Sequence, residues 1–168
     1  MSFAAFEQCI ESPSLKRVAQ RWRDARGARI LPSWRNLRLS KIEKLMPIIW
    51  SYRYDPVTDK FTGRQAGANI EQIFGKRFAG TPMEELYPPK DYPRLFARAK
   101  RVVCIPEFYR GAGVIFDHLD HWGHGERIML PLASDGVHGD GVLGATVYDF
   151  FLGEREEPVS HSDDWFPL

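Results

Sequence analysis

The sequence predicts an α+β fold: a five-stranded antiparallel sheet with helices over one face and an N-terminal helical cap. Three observations predict it. The chain opens with about forty-five residues of helical character, continues with two short alternating segments, and closes with three strand-like stretches after a helix of 3.6-residue period. Helices between the second and third strands then fold across one sheet face and leave room beneath them, an arrangement suited to recognition more than to turnover. The expected organisation is a helical cap over residues 1–46, a core over 47–151 and an acidic tail over 152–168.

The first helix is expected over residues 14–26. Ser12 or Ser14 can cap it, Pro13 suits an early helical position, and Leu15, Val18, Ala19 and Trp22 recur at i, i+3, i+4, i+7. Gly27 stops it, and a second helical stretch begins near Leu31 and ends at Pro47. From Ile48 the period changes to two. Ile48, Trp50, Tyr52 and Tyr54 share one face of a half-buried strand, residues 55–59 supply a turn, and residues 60–66 return as its partner. Short helical turns follow around Ile70 to Phe74 and Pro82 to Leu86. Pro88 and Pro89 open the main helix, where Tyr92, Leu95, Phe96, Ala99, Val102 and Val103 form the inner stripe and Arg94, Arg98 and Arg101 lie outside. Three strands, over residues 107–116, 126–133 and 141–151, complete the sheet. Ile128, Leu130 and Leu132 share a face of the second, and Leu143, Ala145 and Val147 share a face of the third. Pro131 argues for a bulge or an edge. Residues 134–140, rich in Gly and Asp, form a hairpin loop.

At 168 residues, 43% of them hydrophobic, the chain suits one core. Its apolar runs are far shorter than the roughly twenty residues of a membrane helix, and its first residues lack a secretory pattern, so a cytoplasmic location is expected. Cys9 and Cys104, far apart and without CxxC spacing, read as reduced thiols, Cys104 as a small buried hydrophobe. Net charge is +1 but uneven. Residues 1–44 hold ten Lys and Arg against four acids, and residues 149–168 hold six acids against one Arg. The preferred reading is that the two ends lie together and neutralise each other. The alternative is a docking face for an acidic partner, nucleic acid being disfavoured by the balanced whole-chain charge.

In its order of elements the chain resembles PAS domains, in particular the standalone, single-domain bacterial subtype. The resemblance is carried by Trp22 with its Arg-rich helix, Leu45-Met46-Pro47, the run from Phe61 to Gly67, Phe74-Gly75 with Gly80, and the run from Arg127 to Leu132 followed by Asp135-Gly136. It implies a sensory or interaction module without catalytic residues, able to hold a small ligand between sheet and short helices, to dimerise and to contact a signalling partner. No cofactor is identified. Haem ligation through the long helix lacks its His, and flavin adduct chemistry lacks a Cys between Phe74 and Pro82.

The candidate ligand-binding residues are Trp50, Tyr52, Arg64, Phe74, Phe96, Phe108 and Leu130. The aromatics among them could line a cavity, although such residues usually fill cores. Arg64 stands opposite Phe61 and Gly63, where pairing with an acid is the preferred role and an anionic ligand the alternative. His118, His121 and His124, interleaved with Asp117 and Asp120, carry donors for a borderline metal such as zinc, but read as a solvated inter-strand loop. A rival reading is a small cavity enzyme using one Asp/His acid–base pair.

Overall fold

The computed structural model describes residues 2–156 and 160–168. The N-terminal half of the cap is two α-helices, α1 (Ser2–Cys9) and α2 (Pro13–Arg26). Helix α2 starts as its sequence dictates: Ser12 is the N-cap, its hydroxyl accepts from the Leu15 amide at 3.4 Å, and Pro13 needs no partner for an N–H it lacks. The expected second helix is instead two 3-10 segments, Arg35–Leu37 and Leu39–Ile48. Arg38, at φ 44°, separates them, and Ile42 is kinked at φ −129°. Helix α1 lies within the expected helical cap, ahead of the first helix delimited there, and its apolar residues serve the same core as α2.

Strands β1 (Ile49–Asp55) and β2 (Lys60–Ala66) form a hairpin. Helices α3 (Ala68–Phe74), α4 (Met83–Leu86) and α5 (Tyr92–Cys104) follow. Strands β3 (Glu107–Asp117), β4 (His121–Leu132), β5 (Gly141–Leu152) and β6 (Ser162–Pro167) complete the sheet, whose order is β2-β1-β5-β4-β3-β6. The expected five strands are therefore six. Residues 162–167 carry no clean alternation, and they become a strand through pairing with β3, Glu107 against Pro167 and Ala112 against Ser162. Strand β4 begins at His121, earlier than expected, because Gly123 and Gly125 extend the pairing with β3 and β5. It is an interior strand, yet its register with β3 ends at Met129, so Pro131 places its missing N–H where no β3 partner is registered.

Both faces of the sheet are covered. Strand period two sends alternate residues to opposite cores. On the cap side, Ile49, Phe108, Ile128, Leu130 and Leu143 pack under Phe6, Leu15, Val18 and Trp22. On the other, Trp50, Tyr52, Phe61, Tyr109, Met129 and Val142 pack under α3, α4 and α5. Trp22 is fully buried, and its indole N–H donates to the Pro131 carbonyl at 2.7 Å, which ties α2 to β4. On the α5 side, aromatic rings lie where glycines leave room. A Cβ on Gly144 would enter the Trp50 indole, and one on Gly111 would enter the Tyr109 ring.

Two polar devices hold the periphery. Glu126, buried on β4, accepts from the backbone amides of Glu11 and Ser12 at 2.9 and 2.8 Å and from Arg110 Nε at 2.8 Å. It thus satisfies amides at the start of α2 and neutralises a buried guanidinium. Strand β6 is fastened by Asp163, which accepts from the Tyr109 hydroxyl and from Arg98 at 3.4 Å, and by Asp164, which accepts from Arg110 at 3.2 Å. Arg98, expected on the outer face of α5, is 8% exposed; it lies over the Tyr109 ring at 4.7 Å and reaches Asp163 past it. Burial favours the protonated Asp163 carboxyl, but the Tyr109 hydroxyl and the Arg98 charge outweigh it and hold its pKa below the usual aspartate value.

Glu126→Ala is expected to cost about 2–4 kcal/mol in urea unfolding, since it leaves the Glu11 and Ser12 amides without their acceptor while Arg110 keeps Asp164 and Glu11. A loss below about 1 kcal/mol would show that water replaces the carboxylate. Because the folded pKa of Asp163 is depressed, its contribution is complete above the ordinary aspartate value and disappears as pH falls through the lower folded value. The Trp165 indole N–H resonance should therefore hold its native position from about pH 7 to 5 and move cooperatively below about pH 4. In Asp163→Asn it should be displaced at every pH. An unmoved resonance in both tests would show that Asp163 does not fasten β6.

Candidate functional site

Trp50, Tyr52, Phe74 and Phe96 do come together, beneath α3, α4 and α5. Strand β1 supplies Trp50 and Tyr52 from one face of its alternation, α3 supplies Phe74, and α5 supplies Phe96. Phe108 and Leu130 lie on the opposite face, under α1 and α2, and share no chamber with the other four. The reason is phase: Tyr109 and Met129, one residue further along or back, are the members of β3 and β4 that face α5.

The helix-side chamber is filled by its own rings. Tyr52 meets Phe78 at 5.0 Å between centroids, Trp50 meets Tyr52 at 5.5 Å, Phe74 meets Tyr87 at 5.3 Å, and Phe61 meets Phe96 at 5.7 Å. Phe61, Phe78, Tyr87 and Tyr109 were not among the expected chamber residues; Phe61 alone stood in a segment whose alternation placed it there. The polar groups are paired. Trp50 Nε1 donates to Thr146 Oγ1 at 2.9 Å, and the Tyr52 and Tyr87 hydroxyls lie 3.0 Å apart. Burial, with Tyr87 beside it, keeps the Tyr52 phenol protonated far above the usual range. Burial likewise pushes Tyr109 up to about 12, against the pull of Arg98 and with the help of its bond to Asp163. Arg127 crosses the same face and donates to Thr146 Oγ1 and the Ile115 carbonyl, each at 3.3 Å. These hydrogen bonds pair the polar groups of the chamber with one another and with the backbone.

The histidine-rich segment lies elsewhere, at the β3–β4 hairpin. Only residues 118–120 form its turn, so His121 and His124 belong to β4 and the segment is not the loop expected. The His118 and His121 rings lie 4.7 Å apart, tilted to each other and beside Phe116, and His121 Nδ1 lies 2.6 Å from an Asp120 carboxylate that is 86% exposed. Among the described residues, no three His, Cys, Asp or Glu side chains gather as a metal site. The Asp120 carboxylate is thus solvated, while the His121 ring is half-buried beside Phe116 and Phe150.

Arg64 lies on the cap side of β2. It makes no ion pair among the described residues; its guanidinium stacks over Trp34 at 5.1 Å instead, so the expected pairing with an acid is replaced by an aromatic contact. Cys104 is exposed, one position beyond the buried Val103, and is not the core residue expected. Cys9 donates weakly to Asp164 at 3.7 Å, and burial, with the Asp164 charge, pushes its thiol pKa up. Both cysteines are free thiols. No helix among the described residues is long and apolar enough to cross a membrane.

The cap presents the strongest charge asymmetry. Of the ten Lys and Arg between positions 16 and 44, Arg23 pairs with Glu7 and Asp24, at 3.6 and 3.4 Å. The other nine have no acidic partner within ion-pair distance among the described residues. Asp163 and Asp164, which the sequence placed against this basic end, are engaged by Arg98 and Arg110 on α5 and β3.

A protein-family model described as PAS domain matches residues 10–147, from the turn before α2 to the middle of β5. No curated protein and no solved structure matches the chain. The matched region contains β1 to β4, most of β5 and all three helices of the chamber, and leaves α1 and β6 outside it. The chain belongs to the PAS domain family, whose members are in general sensory or regulatory modules and not enzymes.

Proposed function

We propose that this protein is a non-catalytic PAS regulatory module that signals through contact with an acidic partner protein, and that its basic cap is the contact surface. One observation carries the reading: among the described residues, nine cationic side chains between Lys16 and Lys44 have no acidic partner within ion-pair distance, while Asp163 and Asp164 are engaged on α5 and β3. A surface with a marked excess of positive charge accelerates encounter with the opposite sign and selects against like-charged partners. The ring-filled chamber beneath α5 supports a module that works by surface contact without a large resident cofactor. The exposed Asp120 supports a non-catalytic reading, since acid–base work needs a desolvated pair.

The cap is well placed to transmit a change. It is joined to the sheet through Trp22 and Pro131 and through Glu126 and the α2 start, so binding at its outer face acts on the same strands that floor the chamber. A few kcal/mol of differential affinity between two cap positions is enough to shift their populations. A small ligand in the chamber, if one enters, displaces ring contacts and acts on the same equilibrium.

The test is fluorescence anisotropy with a labelled Glu/Asp-rich peptide and, separately, a labelled DNA duplex. Arg17→Glu with Arg35→Glu, both at exposed positions, should weaken peptide binding by about tenfold or more, and added salt should weaken it in the unmodified protein. Equal peptide affinity in the double variant, or tighter binding to the duplex than to the peptide, would overturn the proposal.

A further inference from the structure

Arg53 and Arg64 meet on the cap side of the sheet, with no carboxylate of the described residues within ion-pair distance of either. Arg53 is registered opposite Gly141 on β5, and the position a Gly141 Cβ would occupy is 3.3 Å from Arg64 Nη2. The two guanidinium-bearing chains therefore converge over one strand position that has no side chain of its own. Neither makes an ion pair among the described residues, and Arg64 Nε is buried with no hydrogen-bond partner. The nearby carboxylate, Asp140, accepts from the Ser134 amide at 3.1 Å from each oxygen and acts on Arg64 from beyond ion-pair distance. The Arg64 guanidinium lies over the Trp34 ring, its central carbon 5.1 Å from the ring centroid.

From this we propose that Arg53 and Arg64, with Trp34 as the platform that orients Arg64, form a binding site for a small oxyanion, a phosphoryl or carboxylate group. Two adjacent like charges repel, and an anion between them relieves the repulsion while giving Arg64 Nε its missing acceptor. Burial and the Arg53 charge both act to lower the pKa of Arg64, with Asp140 opposing them, which is the electrostatic state an incoming anion would reverse. The planar fork of a guanidinium suits a two-oxygen acceptor, so lysine is a poor substitute at position 64. Access is open: Arg53 is exposed and also borders a surface depression of about 740 Å³ between the β1–β2 and β4–β5 turns, where Ser134 and His138 stand on the far wall. The site lies on the opposite side of the sheet from the aromatic chamber, and the proposal stands apart from the acidic-partner reading, since it needs neither the outer face of α2 nor a macromolecule.

The experiment is calorimetric titration of the full chain with inorganic phosphate and, in a second arm, with succinate, at constant ionic strength set by potassium chloride. Binding in at least one arm is expected, weakened about tenfold or more in Arg53→Gln, whose exposed position spares the fold, and comparably in Arg64→Lys, which keeps the charge and loses the fork. The arm with the tighter binding assigns the anion as phosphoryl or carboxylate. The Arg64 Nε–H resonance should move on titration in the same arm. No heat in either arm, or heat unchanged in both variants, would overturn the proposal. Either result leaves the peptide experiment untouched, because Arg17 and Arg35 remain in place.

Discussion

The buried Glu126 carboxylate is the constraint on which the assembly of cap and sheet depends. Its position on β4, facing the cap, would be untenable alone, because an ionised carboxylate out of water costs several kcal/mol. Arg110 across the β3–β4 register and the two amides at the entry to α2 make it tenable, and together they fix where α2 starts. Once that origin is set, one turn of phase decides which α2 residues meet the sheet. Leu15, Val18, Ala19, Trp22 and Ala25 then do so without exception. The hydrophobic stripe supplies most of the stabilisation; the polar knot supplies its registration.

The same sheet serves two unlike cores. The cap side is built of aliphatic residues with Trp22, Phe6 and Phe108 among them, whereas the α5 side is ring packed on ring, seated on glycines. The rings of the α5 side meet edge to face or tilted, as Trp50 on Tyr52 and Phe61 on Phe96 do, whereas the near-parallel stacks, Phe3 on Trp22 and Phe6 on Phe108, hold α1 and α2 to the sheet. The cations without an acidic partner among the described residues belong to this cap side.

Much of the fold was legible in local pattern. The alternation of Trp50, Tyr52 and Tyr54, the 3.6-residue stripe of α2, and the turns at Asp55 and Gly136 each identify their element from neighbours alone. What local pattern omits is which strand lies beside which and in what phase. Phe108 and Tyr109 are both large and apolar, and only the β3–β4 and β3–β6 registers reveal that Tyr109 faces α5. Strand β6 escaped for a related reason: its acids are satisfied by Arg98 and Arg110, more than fifty residues away in sequence, so a segment that reads as a solvated tail is a sheet edge. Of the candidate site, the aromatic membership of Trp50, Tyr52, Phe74 and Phe96 was readable, and the replacement of an ion pair at Arg64 by the Trp34 ring was not, because Trp34 comes beside β2 only through the packing of the cap on the sheet.

Helix α1 and strand β6, the two elements outside the family match, rest on each other: Phe6 meets the Phe166 ring at 5.7 Å, and Cys9 reaches Asp164. Neither has a complete apolar environment without its counterpart. They consequently behave as a single cooperative clasp across the β3 edge, so loosening one exposes the other, and a disturbance that reaches either extremity is felt at both before the central strands register it.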